Sequence, residues 1–78
     1  MDKKIRVYST PSCPYCIKLK DFLSEKGIDF ENIDISSDKA MVDEMVEKSN
    51  QMGVPVVDIE GQIIVGFDKD AISQALGL

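Results

Sequence analysis

Two cysteines, Cys13 and Cys16, stand two residues apart where a strand-like run gives way to a helix-like run. They are the only cysteines in 78 residues, and the chain has no histidine. This junction constrains the fold more than any other stretch, because a strand must end, turn tightly and become a helix within a few residues. Ile5-Arg6-Val7-Tyr8-Ser9 alternates and is rich in strand formers. Thr10-Pro11-Ser12 breaks it. Pro14 suits the first turn of a helix, where its missing N–H would have had no partner anyway. Cys16, Leu19, Phe22 and Leu23 then recur at spacings of three and four, with Ile17 beside them. Gly27 reads as the stop.

The rest of the chain alternates in the same way. A short alternating run within 29–35 predicts a second strand. Ser36, Ser37 and Asp38 offer N-cap oxygens to a second helix marked by Met41, Val42, Met45, Val46 and Ser49 and ending near Asn50. Asp43, Glu44 and Glu47 fall on its other side. Gly53-Val54-Pro55 opens a third strand, Val56-Val57-Asp58-Ile59. Glu60-Gly61 suits a tight hairpin turn into Gln62-Ile63-Ile64-Val65. Gly66-Phe67-Asp68 leads to a last helix, with Asp68 as N-cap and Ala71, Ile72, Ala75 and Leu76 as its apolar stripe, stopped by Gly77. The order βαβαββα predicts one α/β domain over 1–78. Its first unit needs parallel strands with a right-handed crossover, and its closing hairpin must be antiparallel. The result is a mixed four-stranded sheet with helices on its faces.

Composition narrows the chemistry. No window approaches the roughly 18 apolar residues of a membrane span. Met1-Asp2-Lys3-Lys4-Ile5-Arg6 is charged and no apolar signal core follows it, so the expected location is cytoplasmic. There a paired cysteine is redox-active or metal-binding more often than structural. A disulfide across so short a loop would also restrict the unfolded chain little. Structural zinc usually takes four Cys or His ligands, which one copy of this chain lacks, so no metal is expected. Net charge is −5. Residues 1–26 hold six bases and three acids, and residues 27–78 three bases and eleven acids, so the dithiol lies in the positive third. An acidic chain does not carry a nucleic-acid footprint.

The nucleophile in thiol–disulfide exchange is the thiolate. Unpaired N–H groups and the positive end of the dipole favour an anion at a helix N-terminus, where Cys13 stands. Lys18 or Lys20 would add a screened contribution. Cys13 is therefore the expected attacker. Cys16, about one turn further in and on the apolar side, has the spacing of a resolving thiol. Pro14 and Tyr15 stiffen the turn. Tyr15 could pack on a peptide-like ligand or be half-buried.

With Cys13-Pro14-Tyr15-Cys16, Tyr8 before it, Gly53-Val54-Pro55 about forty residues on and Gly66-Phe67-Asp68 beyond, the chain resembles a glutaredoxin from Ile5 to Leu76. The resemblance implies a thioredoxin fold with sheet order 2-1-3-4 and a cis Val54–Pro55 bond facing the dithiol. It implies a thiol–disulfide oxidoreductase acting on protein or glutathione mixed disulfides through Cys13 and Cys16. Pro14, Tyr15, Gln51, Val54, Pro55, Gly66, Phe67 and Asp68 would bind substrate. The Val54 backbone would pair with it like an added strand, and Asp68 with adjoining N–H groups would receive the γ-glutamyl end of glutathione. Glutathione would be a co-substrate, with no tightly bound cofactor. Partners would be disulfide-containing proteins, with glutathione or a thioredoxin reductase as electron donor, and the chain would be a monomer. Three positions depart from the family pattern. Thr10 stands where many members carry lysine, Gln51 and Met52 stand where an arginine or other polar anchor is common, and Val65 replaces the first Gly of a Gly-Gly pair. The pattern is also similar to small bacterial glutaredoxin-like proteins, some of which are hydrogen donors to ribonucleotide reductase. A non-catalytic module holding glutathione and an iron–sulfur cluster across a dimer, or a pure interaction domain, would be the alternatives.

Overall fold

Seven elements follow one another: β1 (Ile5–Ser9), α1 (Pro14–Glu25), β2 (Glu31–Asp34), α2 (Lys39–Ser49), β3 (Val56–Ile59), β4 (Gln62–Val65) and α3 (Lys69–Leu76). The structure is a computed structural model and describes residues 4–77. Met1, Asp2 and Lys3, which entered the expectation of a chain without a leader, lie outside the described residues. So does Leu78, the last residue of the expected domain. The strands form one sheet in the order β2-β1-β3-β4. β1 runs parallel to β2, with Val7 opposite Asn32, and antiparallel to β3, with Val7 opposite Val57. β3 and β4 form the antiparallel hairpin. This is the thioredoxin fold that the element order and the resemblance imply.

Alternation along β1 and β3 divides the core into two clusters. Ile5, Val7, Val57, Ile59 and Ile64 meet Leu19, Phe22 and Leu23 of α1 and Ile72 of α3. Tyr8 and Val56 point the other way and meet Met45 of α2 and Ile35. Leu19 and Leu23 are wholly buried, and truncating either to Ala costs about 2–5 kcal/mol. A chain of this length has roughly 4–12 kcal/mol in total.

The helix ends follow from single residues. α1 begins at Pro14 and α2 at the Asp38 cap, whose carboxylate accepts the Ala40 and Met41 N–H groups. Asn50 (φ 59°) ends α2 in the left-handed conformation that Asn tolerates. At the hairpin, Glu60 and Gly61 both have positive φ, as a primed two-residue turn needs, and the Gly61 N–H donates to Asp58 Oδ1 at 2.8 Å.

β2 lies inside the run 29–35, at Glu31–Asp34, and one expectation, on α2, is corrected. Ile28 and Phe30 pack on the first cluster from the preceding loop, and Ile28 N–H donates to Leu23 O, which holds that segment to α1 instead of β1. Glu44 does not sit on the solvent side of α2 with Asp43 and Glu47. The buried Tyr8 hydroxyl donates to Glu44 Oε2 at 2.8 Å. Lys48 donates to the same hydroxyl at 3.0 Å and to Asp58 Oδ2 at 2.8 Å. Glu44 and Lys48 are one turn apart, so both reach Tyr8. This polar brace ties α2 to β1 and β3. Among the described residues no helix is long and apolar enough to cross a membrane.

Candidate active site

β1 delivers the chain at Ser9, and the turn that follows is closed by a Cys13 N–H bond to Thr10 O at 3.3 Å. Cys13 is the N-cap of α1, with extended backbone (φ −90°, ψ 113°). Its Sγ accepts the Cys16 N–H at 3.2 Å, in the place where a Ser or Asp oxygen would usually cap. The Cys13 carbonyl receives the Ile17 N–H at 3.2 Å, the first helical bond. On the other side, Cys13 Sγ lies 3.9 Å from the Val54 carbonyl oxygen. One sulfur is thus held between a helix N-terminus and the segment before β3.

Both thiols are free. Cys13 is half-buried and Cys16 is wholly buried. The Cys16 thiol is pushed up to about 11, chiefly by burial and then by its hydrogen bond with Cys13. A Thr10 backbone hydrogen bond and the Lys20 charge pull the other way and do not prevail. Cys16 therefore stays protonated at neutral pH.

The segment facing Cys13 is built by its own local bonds. Gln51 Oε1 accepts the Gly53 N–H at 2.6 Å, and Gln51 Nε2 donates to Gly53 O at 2.9 Å and to Ser49 Oγ at 3.2 Å. Ser49 Oγ in turn donates to Met45 O at 2.7 Å, fixing the clamp to the end of α2. The Val54–Pro55 bond is cis, and Pro55 is buried. Pro55 O accepts the Gly66 N–H at 2.8 Å, which joins the end of β4 to the same segment. Gly66 has φ +80°, a conformation that a side chain would strain. Asp68 caps α3 through the Ala71 N–H at 3.1 Å and stays exposed.

Cys13, Cys16, Val54, Pro55 and Gly66 are therefore brought together by direct bonds or contacts. Pro14 and Tyr15 stand exposed at the start of α1, with the Lys18 ammonium 5.4 Å from the Tyr15 ring centre. Two residues expected to face a ligand do other work. Gln51 has both amide hydrogens engaged inside its own loop. Phe67 turns its ring toward Phe22, edge-on at 6.0 Å, and packs on the first core cluster. Met52 and Val65, singled out in the sequence only as departures from the family pattern, stand with their side chains exposed beside these segments. The usable signal was their apolar character outside any buried stripe. Among the described residues no group of three His, Cys, Asp or Glu is placed to hold a metal ion.

The Glutaredoxin family profile matches residues 5–64. The uncharacterized glutaredoxin-like 8.6 kDa protein in rubredoxin operon of Clostridium pasteurianum is 46% identical over 72 residues, covering 92% of this chain and 96% of that one. Glutaredoxin 3 of Escherichia coli K12 is 36% identical over 64 residues, covering 82% and 77%. The crystal structure of glutaredoxin from Archaeoglobus fulgidus superposes with a TM-score of 0.88 at 24% identity, covering 95% of this chain and 86% of that chain. That likeness concerns the fold. The family match spans the strand, the dithiol turn, the cis-proline segment and most of the closing hairpin, so the chain belongs to the glutaredoxin family of thiol oxidoreductases.

Proposed function

We propose that this protein is a thiol–disulfide oxidoreductase in which Cys13 attacks and Cys16 resolves. The observation that carries the reading is the asymmetry of the two sulfurs. Cys13 Sγ is reachable and receives an N–H from the first turn of α1, while Cys16 is sealed and holds its proton. The bond from the Cys16 N–H holds the Cys13 sulfur at the start of α1, open to a partner disulfide.

The cycle balances as follows. The Cys13 thiolate attacks one sulfur of a partner disulfide, the partner S–S bond breaks, and the departing thiolate takes a proton from solvent. A mixed disulfide joins Cys13 to the other partner sulfur. Cys16 loses its proton and attacks Cys13 Sγ, a new Cys13–Cys16 bond forms, and the second partner thiol leaves. Two electrons have passed to the partner. Two electrons from two glutathione molecules, or from a dithiol reductase, restore the pair. In this reading Tyr15 and Pro14 line the approach, and the Val54 backbone and Pro55 offer an extended edge to the bound chain. Gly66, Asp68 and the start of α3 receive the polar end of the substrate.

Protein disulfides and glutathione mixed disulfides are both substrates in this reading. Reduction by a protein reductase in place of glutathione is favoured by one feature. Segments 10–16, 51–55 and 65–68 contain no Lys or Arg to pair with a glutathione carboxylate, and charge-assisted bonds are the strong ones. Coupled assays decide both questions. Cys13→Ser is expected to lose all exchange, and Cys16→Ser to retain only monothiol deglutathionylation. Full activity of the Cys13 variant would overturn the assignment. Running the wild type with glutathione plus glutathione reductase, then with thioredoxin reductase and its nicotinamide cofactor, identifies the donor.

A further inference from the structure

Among the described residues four large hydrophobic side chains are exposed: Tyr15 at 60%, Ile17 at 48%, Met52 at 73% and Val65 at 47%. Single exposed apolar residues need no explanation, but their grouping does. Three of the four stand in the segments that meet near the reactive sulfur. Tyr15 follows Cys13 by two residues on the helix side. Met52 precedes Val54, whose carbonyl touches Cys13 Sγ, by two residues, a span of about 7 Å in extended chain. Val65 pairs with Val56 in the ladder and precedes Gly66, whose N–H is bonded to Pro55 O.

The polar groups nearby are already engaged. Gln51 is closed on Gly53 and Ser49. Asp68 is the only charged residue in segments 10–16, 51–55 and 65–68. A ligand carrying two carboxylates finds no cation on these segments, the Lys18 ammonium being drawn over the Tyr15 ring, and must desolvate a charge beside apolar side chains, at a cost. An uncharged chain with an apolar side chain beside its cysteine meets three apolar partners instead.

We infer that Tyr15, Met52 and Val65 form an apolar rim that selects polypeptide disulfides whose cysteine is flanked by an apolar residue, in preference to glutathione disulfide. This rests on the oxidoreductase reading and adds the class of substrate that the site takes. Met52 is the most exposed member and the nearest in sequence to the Val54 edge, so it carries most of the discrimination. The Gln51–Gly53 clamp presents it, by fixing the two residues on either side.

The test uses the pre-reduced full chain in single turnover, so that no donor enters. Three probes are compared: two tetrapeptide disulfide dimers differing only in Leu or Ser before the cysteine, and glutathione disulfide. Rates are read by rapid quench and mass spectrometry. The Leu peptide is expected to react about tenfold faster than the Ser peptide, corresponding to about 1.4 kcal/mol. Glutathione disulfide is expected to be the slowest. Met52→Gln and Met52→Lys are each expected to bring the two peptides close to parity. Ile17→Ser, exposed but not a member of the rim, is expected to keep the wild-type ratio. Equal rates for the two peptides on the wild type, or an unchanged ratio in both Met52 variants, overturn the rim and leave the oxidoreductase reading standing. A wild type that reduces none of the three probes overturns the oxidoreductase reading, and the rim with it.

Discussion

The polar brace under α2 and the rim around Cys13 share a strand, yet they treat charge in opposite ways. Tyr8 belongs to the brace, and its neighbour Ser9 ends the strand that leads to the dithiol. In the brace every ion has a partner. Lys48 is bonded to Asp58 and Tyr8, Tyr8 to Glu44, and Asp58 also to the Gly61 N–H. Around Cys13 there are backbone groups, one capping carboxylate and exposed apolar side chains, and the Lys18 and Lys69 ammonium groups lie over the rings of Tyr15 and Phe22. Paired, partly buried ions hold elements in register. A reactive sulfur that must accept many approaches is better served by backbone dipoles, which are fixed and cannot be drawn off by a passing carboxylate. Fold stability and exchange chemistry therefore rest on different side chains, and they can be broken separately.

The largest separation is expected in Cys13→Ser. Exchange should fall at least about a thousandfold, as removal of a nucleophile does. The melting temperature should barely move, because serine is a good N-cap and can still accept the Cys16 N–H. A large loss of stability in this variant would mean that the sulfur is structural after all.

Next is the contrast between the two thiols. At pH 8 iodoacetamide should modify Cys13 and leave Cys16 about a hundredfold slower than an ordinary cysteine, with Cys16 labelling rising only as the pH nears 11. The same shift acts on stability. Below the ordinary thiol value both native and unfolded chains keep the proton. Between that value and about 11 the unfolded chain has released it while the native one holds it, so stability falls as pH rises through that window. Cys16→Ser should flatten this alkaline decline.

Lys48→Met should cost about 2 kcal/mol at neutral pH, read by urea unfolding, and leave the single-turnover exchange rate unchanged. Burial works against the Asp58 carboxylate. The Lys48 hydrogen bond, the Gly61 N–H and the charges of Lys48 and Arg6 outweigh it and hold the carboxyl below its ordinary value. That contribution is present above the ordinary carboxylate value and is lost as pH falls through the lowered one. The gap between Lys48→Met and wild type should accordingly narrow in acid. The smallest effect is expected at Gly53→Ala. A Cβ there would meet Gln51 Oε1 at 2.7 Å, and the flexible amide would have to swing away. About 1 kcal/mol of stability should be lost with the clamp, together with part of the peptide discrimination.

Much of the fold was readable because local signals determine it. Pro14, Gly27 and the Asp38 and Asp68 caps mark helix ends through bonds within a few residues. The alternation in 5–9 and 56–65 gives strand faces directly. Cys13 and Cys16 were readable for the same reason, since the turn and the helix start are adjacent in sequence. The brace was not. It joins Tyr8, Glu44, Lys48 and Asp58, with Tyr8 bonded to Lys48 across 40 residues, and no local pattern marks Glu44 as anything but solvated. The local bonds of Gln51 were not legible, because its amide could reach a ligand or its own loop, and only the turn geometry favours Gly53. Phe67 sits in a segment that looks like a loop, and its ring is drawn into the core by Phe22, 45 residues earlier.

The Cys16 N–H bond to Cys13 Sγ has one further consequence. A thiolate is a strong acceptor and a disulfide sulfur a weak one. In the proposed cycle each turnover would therefore strengthen and then slacken the first turn of α1 at a single amide proton. That proton is a gauge of oxidation state built into the backbone. Its exchange with deuterated solvent should be slow in the reduced protein and faster in the oxidised one. A partner that forms the proposed mixed disulfide with Cys13 would meet a helix whose first turn is momentarily less firmly held.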